Sequence, residues 1–435
     1  MAVVAPTLDR NVELSRGILQ HLFRGYGPRD FTVRFWDADE WLPDAGQESK
    51  FTWVLKHPGA LRSAYVPPTG ANFGAAYLYD DFDVEGDMVE FVRLGNYLHH
   101  YANKNLTIFD RILLGWRIMK LPNTPKPREG HKAAKMEGKM HSTDRDRQAI
   151  SYHYDFSNKC FELMLGPLMT YSSGVFESDD EALTPAQERK LDMLCRKLRL
   201  KPGERLLDIG SGWGGLIIHA AKNYGVEAVG ITISKEQAAL TRERIAKAGL
   251  SDRCRVELRD YRELDPKQPF DKMVTVEVLE HFGGSTFPTF FKKCYEVLKP
   301  RGTFMIQQIT LSGTEDTTAA PDFSRSYVFP DGELTPVSTT LRAAEGAGFE
   351  VRDVECIREH YITTCRHWLA NTENYHDEIV STTSEAGYRM FRIYFAAACY
   401  GFLTNVYNLH QVLVSKPDGD CVSGLPRTRN DWYSS

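Results

Sequence analysis

The sequence predicts an α/β protein: a mostly parallel sheet of seven strands with helices on both faces, preceded by a smaller α+β domain. Three observations carry this. Short apolar runs alternate with helical patterns at about 205–209, 226–231, 254–258, 271–276, 302–309, 349–356 and 410–415. Such alternation implies parallel strands covered on both sides. The first run, RLLDIGSGWGGLIIHA (Arg205–Ala220), passes through a glycine-rich turn into an apolar helix. The first 100 residues instead hold short strand-like pieces broken by Pro and Gly: Phe31–Asp37, Phe51–Pro58 and Ala75–Gly86.

The glycine turn is the most informative element. Gly210, Gly212, Gly214 and Gly215 leave the backbone bare where strand becomes helix, so a flat or anionic ligand can approach it near a helix N-terminus. Asp208 stands just before the turn, and a second buried-strand pattern, Val226–Ser234, follows. In parallel sheets ligands sit beyond the carboxyl ends of the strands. This set resembles the first motifs of class I methyltransferases, with their Rossmann-like sheet, that use S-adenosylmethionine. On that resemblance Asp208, Gly210, Gly212 and Gly214 receive the methionine and sulfonium part. Thr232, Ser234 and Gln237 follow the second strand, where a ribose lies. Asp260, Tyr261 and Arg262 follow the third, where an adenine lies. A capping role is the competing reading for each of these residues, Thr232 and Ser234 included.

Composition narrows the class. The chain has 435 residues and a net charge of −5, which gives no case for nucleic acid. Its start lacks a basic flank followed by an apolar core, so no signal peptide is expected. The longest apolar candidate, Ile393–Leu403, falls short of the roughly 20 residues that span a bilayer. The cysteines at 160, 195, 254, 294, 356, 365, 399 and 421 form no CxxC pair. No metal site is expected, and a reducing cytoplasm is the simpler setting.

The expected organisation is an N-terminal lipid-binding or accessory domain over 1–120, a basic linker over 121–148, the methyltransferase domain with its helical lid over 149–418 and a tail over 419–435. Helical patterns close the first part at about 87–101 and 107–120. The linker, Leu121–Gln148, is rich in Lys, Arg, Pro and Gly and reads as mobile. Its cations offer contact with an anionic membrane. Helices near 158–165 and 185–198 precede the first strand of the sheet. The insert between about 310 and 400 is expected to cover the ligand end as a helical lid.

Further motifs are ISYHYDFSNKCFELMLGPLMTYSSGVF (Ile150–Phe176), VEVLEHFGG ending at Gly284, RSYVFPDGELTP (Arg325–Pro336) and RMFRIYFAAACYGF (Arg389–Phe402). Together they resemble the cyclopropane-fatty-acid synthases, including the mycolic acid cyclopropane synthases, over about 148–418. The resemblance implies methyl transfer to a cis double bond in an acyl chain of a phospholipid, by an enzyme at the inner face of the membrane. It places Tyr154, Tyr171 and Ser172 along the cofactor pocket and Glu280 at the reaction centre. That family holds bicarbonate as a base with a Cys, a Glu, a His, a Tyr and a second Cys. Here those positions read Ser173, Glu280, Gln307, Tyr361 and Ala398, with Cys399 one residue further. Ser and Gln keep hydrogen-bond donors for bicarbonate, so the expected product is a cyclopropane fatty acid, with a methyl- or methylene-branched chain without ring closure as the alternative. The aromatic residues Phe323, Tyr327, Phe329, Tyr361, Trp368, Tyr394, Phe395 and Tyr400 suit a dry tunnel for a cationic intermediate. A small-molecule N-methyltransferase and a lipid-binding protein on an inactive fold are the rival readings, and a homodimer is left open.

Overall fold

The computed structural model describes residues 9–123, 128–154, 156–312 and 322–433. It forms two compact units. The first comprises Met1–Ala133 together with Pro321–Tyr327 and Ser384–Tyr400, and the second holds the remainder.

The first unit contains strands β1 (Thr32–Arg34), β2 (Glu40–Trp41), β3 (Phe51–Leu55) and β4 (Phe82–Gly86) in the order β2-β1-β3-β4. β1 runs antiparallel to β2 and parallel to β3, and β4 is antiparallel to β3. Its core is aromatic: Phe31 stacks on Phe51 at 5.1 Å, and Trp53 meets Phe82 and Phe91 edge-on. The expected strand over 75–86 is half wrong. Thr69 caps a helix, Gly70–Leu78, by accepting from the Asn72 amide, and only Phe82–Gly86 is extended. The helices expected at about 87–101 and 107–120 are found at Met88–Asn105 and Ile108–Met119. Part of the lid insert also belongs here. Arg389 binds Asp80 and Asp83 at 2.9 Å each, and Arg392 donates to the Tyr77 hydroxyl at 3.0 Å.

The second unit carries β5 (Arg205–Ile209), β6 (Glu227–Thr232), β7 (Cys254–Leu258), β8 (Phe270–Val276), β9 (Leu298–Leu311), β10 (Glu350–Cys356) and β11 (Tyr407–Ser415). Their order is β10-β11-β9-β8-β5-β6-β7. The pairs from β9 through β7 are parallel, and β11 is antiparallel to both neighbours. Alternation sorts side chains between the two faces. Leu207, Val229, Phe304 and Val412 enter one core with Phe290 and Phe291, while Leu206, Ala228, Met305 and Leu413 enter the other with Leu194 and Ile217. Burying each large apolar side chain contributes roughly 1.5–3 kcal/mol. Within the expected linker, a helix starts at Thr143 and runs to Tyr154.

The turn after β5 works as the sequence implies. Gly210 and Gly214 take φ of 78° and 81°, and the Gly210 amide donates to Ile231 O at 2.9 Å. A Cβ on Gly210 would come within 2.4 Å of Val278, and one on Gly214 within 2.5 Å of Thr241. At Gly212, with φ 52°, a Cβ would meet nothing within 4 Å. Two of these glycines therefore serve the turn itself, and the third faces open space.

Candidate functional site

A cavity lies over the carboxyl ends of β5, β6 and β8. Of the residues expected to hold a cofactor, Tyr171, Ser172, Asp208, Gly210, Gly212, Thr232, Gln237, Asp260, Tyr261 and Arg262 line it. Gly214 and Ser234 stand behind the wall as helix caps, and the Tyr154 side chain lies outside the described residues. The two competing readings coexist at several positions. Ser234 Oγ accepts from the Gln237 amide at 3.2 Å, Thr232 Oγ1 donates to Gln237 Oε1 at 2.8 Å, and Asp260 Oδ1 accepts from the Arg262 amide at 2.9 Å. Arg262 also reaches Thr143 at 2.8 Å and Asp146 at 2.5 Å, which ties the helix Thr143–Tyr154 across the third strand end.

Asp208 is 3 % exposed, and its Oδ1 has no hydrogen-bond partner among the described residues; neither has Ser211 Oγ. Burial pushes the Asp208 carboxyl up to about 7, opposed by the charge of Lys190. Lys190, unremarked in the sequence, also lines the cavity and donates to Ser172 Oγ at 2.6 Å. Burial pulls its ammonium down to about 8, while Glu277 and Asp208 pull it up. His281 lines the cavity as a neutral imidazole, burial holding it down to about 4.

The residues expected to cradle a bicarbonate meet a side chain instead. β8 ends at Val276, and Glu277 takes a left-handed backbone, φ 55°, which costs a residue with a Cβ about 1 kcal/mol. Its amide donates to Gln307 O at 2.7 Å. Its carboxylate, at the cavity wall, is gripped from three sides. Oε1 accepts from the Ser173 amide at 3.2 Å and from Gln307 Nε2 at 2.8 Å, and Oε2 accepts from the Tyr361 hydroxyl at 2.6 Å. Burial raises the Glu277 pKa, and the bonds from Tyr361 and Gln307, with the charge of Lys190, hold it down. The donors expected to serve a bound anion are spent on Glu277. The Ser173 hydroxyl turns away, donating to Gly174 O at 2.9 Å.

Glu280 does not line this cavity. Its Oε1 accepts from the Ile309 amide, and Oε2 has no partner among the described residues. Burial, with the Glu277 charge, pushes it up to about 8. Cys399 is buried in the first unit, on the helix Glu385–Leu403, and Phe323, Tyr327, Tyr394, Phe395 and Tyr400 belong to that unit too. Phe329, Tyr361 and Trp368 are in the second. There Tyr361 stacks on Phe402 at 4.4 Å and meets Trp368 edge-on.

Behind Gln307 runs a buried chain of hydrogen bonds. Gln411, its cross-strand partner on β11, donates from Nε2 to Gln307 Oε1 at 2.9 Å. Lys197 Nζ donates to Gln411 Oε1 at 2.7 Å and pairs with Glu355. A lysine only donates, so it fixes which end of the Gln411 amide faces it, and that fixes Gln307 in turn. The result presents an N–H, never a carbonyl, to Glu277.

The mycolic acid cyclopropane synthetase family model matches residues 141–412. A probable fatty acid methyltransferase of Pseudomonas putida is 35 % identical over 92 % of this chain and 95 % of its own. The cyclopropane-fatty-acyl-phospholipid synthase of Escherichia coli K12 is 37 % identical over 61 % of this chain and 66 % of its own. Among solved structures, mycolic acid cyclopropane synthase CmaA1 complexed with SAH and CTAB aligns with a TM-score of 0.59 at 29 % identity, covering 62 % of this chain and 97 % of that one. The chain belongs to the mycolic acid cyclopropane synthetase family of S-adenosylmethionine-dependent methyltransferases.

Proposed function

We propose that the protein transfers a methyl group to a carbon of a cis double bond in an unsaturated phospholipid acyl chain, and that Glu277 receives the proton the resulting cation gives up. The single observation that carries this is the Glu277 carboxylate held where the family resemblance implies a bicarbonate.

The cavity residues fit S-adenosylmethionine. Asp208, Ser211 and Gly212 line the cavity, Asp208 Oδ1 and Ser211 Oγ have no hydrogen-bond partner among the described residues, and polar groups stand at the next two strand ends. Asp208 and the glycine turn hold the methionine part, Thr232 and Gln237 the ribose, and Asp260, Tyr261 and Arg262 the adenine. Bound there, the cofactor supplies an electrophilic methyl group. A methyl group accepted by the alkene's π electrons would leave positive charge on the neighbouring chain carbon. The carboxylate of Glu277 stabilises that charge and takes the proton. The ring of Tyr171, which lines the cavity, tolerates the cation.

Loss of a proton from the delivered methyl closes a cyclopropane; loss from the adjacent chain carbon leaves a branched alkene. The second ending is favoured by the relative that matches nearly the whole chain, a probable fatty acid methyltransferase, whereas the cyclopropane synthases match only part of it. Residues 1–120 act as a lipid-binding accessory domain, and the enzyme works in the cytoplasm at the inner membrane face. Among the described residues no helix is long and apolar enough to cross a membrane.

The test is mass spectrometry and NMR of lipids from cells expressing the protein, against cells carrying Glu277→Gln. A mass gain of one methylene unit that disappears in the variant supports the reading; unchanged lipids in both overturn it. Upfield cyclopropane protons in the product would replace the branched ending with ring closure.

A further inference from the structure

In the first unit, the helix Ile108–Met119 turns its most apolar side outward. Thr107 and Asp110 fix its start through a capping box, and Leu114 and Ile118 anchor it at 4 % and 6 % exposure. Ile108, Phe109, Ile112, Trp116 and Met119 remain between half and four-fifths exposed. At 3.6 residues per turn these five fall within one arc of about 100°, opposite the two anchors. A contiguous apolar stripe of this kind marks a docking surface.

Charge frames the stripe. By the same periodicity Arg111 lies on one edge and Lys120 on the other, with Arg117 beyond Lys120. Lys120 Nζ rests 3.3 Å from the centre of the Trp116 ring. The helix's one acid, Asp110, is occupied by the Thr107 cap and by His21 at 3.2 Å. An apolar face with a tryptophan and cations along both edges matches the boundary of an anionic bilayer, where rings lie at headgroup depth and Lys and Arg meet phosphate. A second copy packed symmetrically on this face would bring cations together at its edges, which disfavours that occupant.

We propose that this face inserts into the headgroup–acyl boundary of an anionic membrane and holds the enzyme at its substrate. The inference rests on the acyl-phospholipid reading above. It also moves the membrane contact from the basic linker expected in the sequence to a side-chain wedge, which high salt weakens without abolishing.

The test uses the full chain and vesicles of phosphatidylglycerol with phosphatidylcholine, or of phosphatidylcholine alone. The wild type is expected to co-sediment with the anionic vesicles and to keep part of that binding at high salt. Ile112→Gln with Trp116→Gln is expected to bind at least tenfold more weakly, with an unchanged melting temperature and unchanged turnover of detergent-dispersed phospholipid. Brominated acyl chains are expected to quench wild-type fluorescence, and Trp116→Phe to lose that quenching. Vesicle binding unchanged in the double variant, no quenching in the wild type, or a dimer mass that the double variant converts to monomer would each overturn the docking face. A wild type that binds vesicles but methylates no acyl chain would overturn the reaction and leave the docking face standing.

Discussion

Tyr361 and Glu277, 84 residues apart, meet at 2.6 Å between hydroxyl and carboxylate. Because the Tyr361 ring is itself stacked on Phe402, the donor is held on its far side as well. With Gln307 on the other oxygen, the carboxylate plane is set before any substrate arrives.

Replacing Glu277 by Gln keeps the shape and removes the base. Turnover is expected to fall by about 10²–10⁴-fold, the usual contribution of a positioned base, with cofactor affinity nearly unchanged. Added bicarbonate is expected to leave wild-type turnover as it is. Stimulation of the wild type by bicarbonate would show that the cradle serves a bound anion after all.

Gly212 and Gly210 separate ligand space from turn geometry. Gly212→Ala fills only open space and costs about 1 kcal/mol of backbone strain, so cofactor affinity should drop more than tenfold with a small loss of melting temperature. Gly210→Ala drives a methyl against Val278 and should lower both. Calorimetric titration and thermal melts distinguish the two, and wild-type affinity in Gly212→Ala would remove that residue from the cofactor site.

Glu280 should govern stability more than turnover. Its folded pKa, about 8, lies above the ordinary 4.5, so the folded state keeps a proton that the unfolded chain releases. Its stabilising contribution is complete below about pH 4.5 and is lost as pH climbs towards 8. Glu280→Gln removes that loss. The variant should melt higher than wild type at pH 8, match it near pH 5, and keep most of its turnover. A fall in turnover like that of Glu277→Gln would restore Glu280 as the reacting carboxylate.

Gln411→Glu puts an acceptor where Gln307 needs a donor. The Gln307 amide then turns over and offers its carbonyl to Glu277, which disfavours the carboxylate. The acid limb of the pH–rate profile should move to higher pH and turnover should fall about tenfold, with cofactor affinity unchanged. Gln411→Leu, which forces no such reversal, should shift the limb less. Identical profiles for Gln411→Glu and wild type would dismiss the chain as packing.

The cofactor end was legible because its signals are local. Asp208 and the glycines sit within a few residues of one strand end, and Thr232 and Asp260 repeat that logic at the next two. Glu277 was not legible. It stands three residues before Glu280, with the same chemistry, and only the left-handed backbone after β8 aims it at Ser173, Gln307 and Tyr361. Lys190 and Lys197 were hidden for another reason. On an amphipathic helix, lysines read as solvated, and both are 1 % exposed. The helix at Gly70–Leu78 was missed because Ala and aromatic residues in short runs fit either period.

The chain of amides also sets a schedule. Gln411 faces Gln307 only in the antiparallel register of β9 and β11, and 104 residues separate the two. During synthesis the cofactor-facing residues from Asp208 to Arg262 emerge more than a hundred residues before β11, the strand that orients the Gln307 amide toward Glu277. On the proposed role of Glu277, the pairing of β11 with β9 is therefore the step that sets the direction of its Gln307 hydrogen bond.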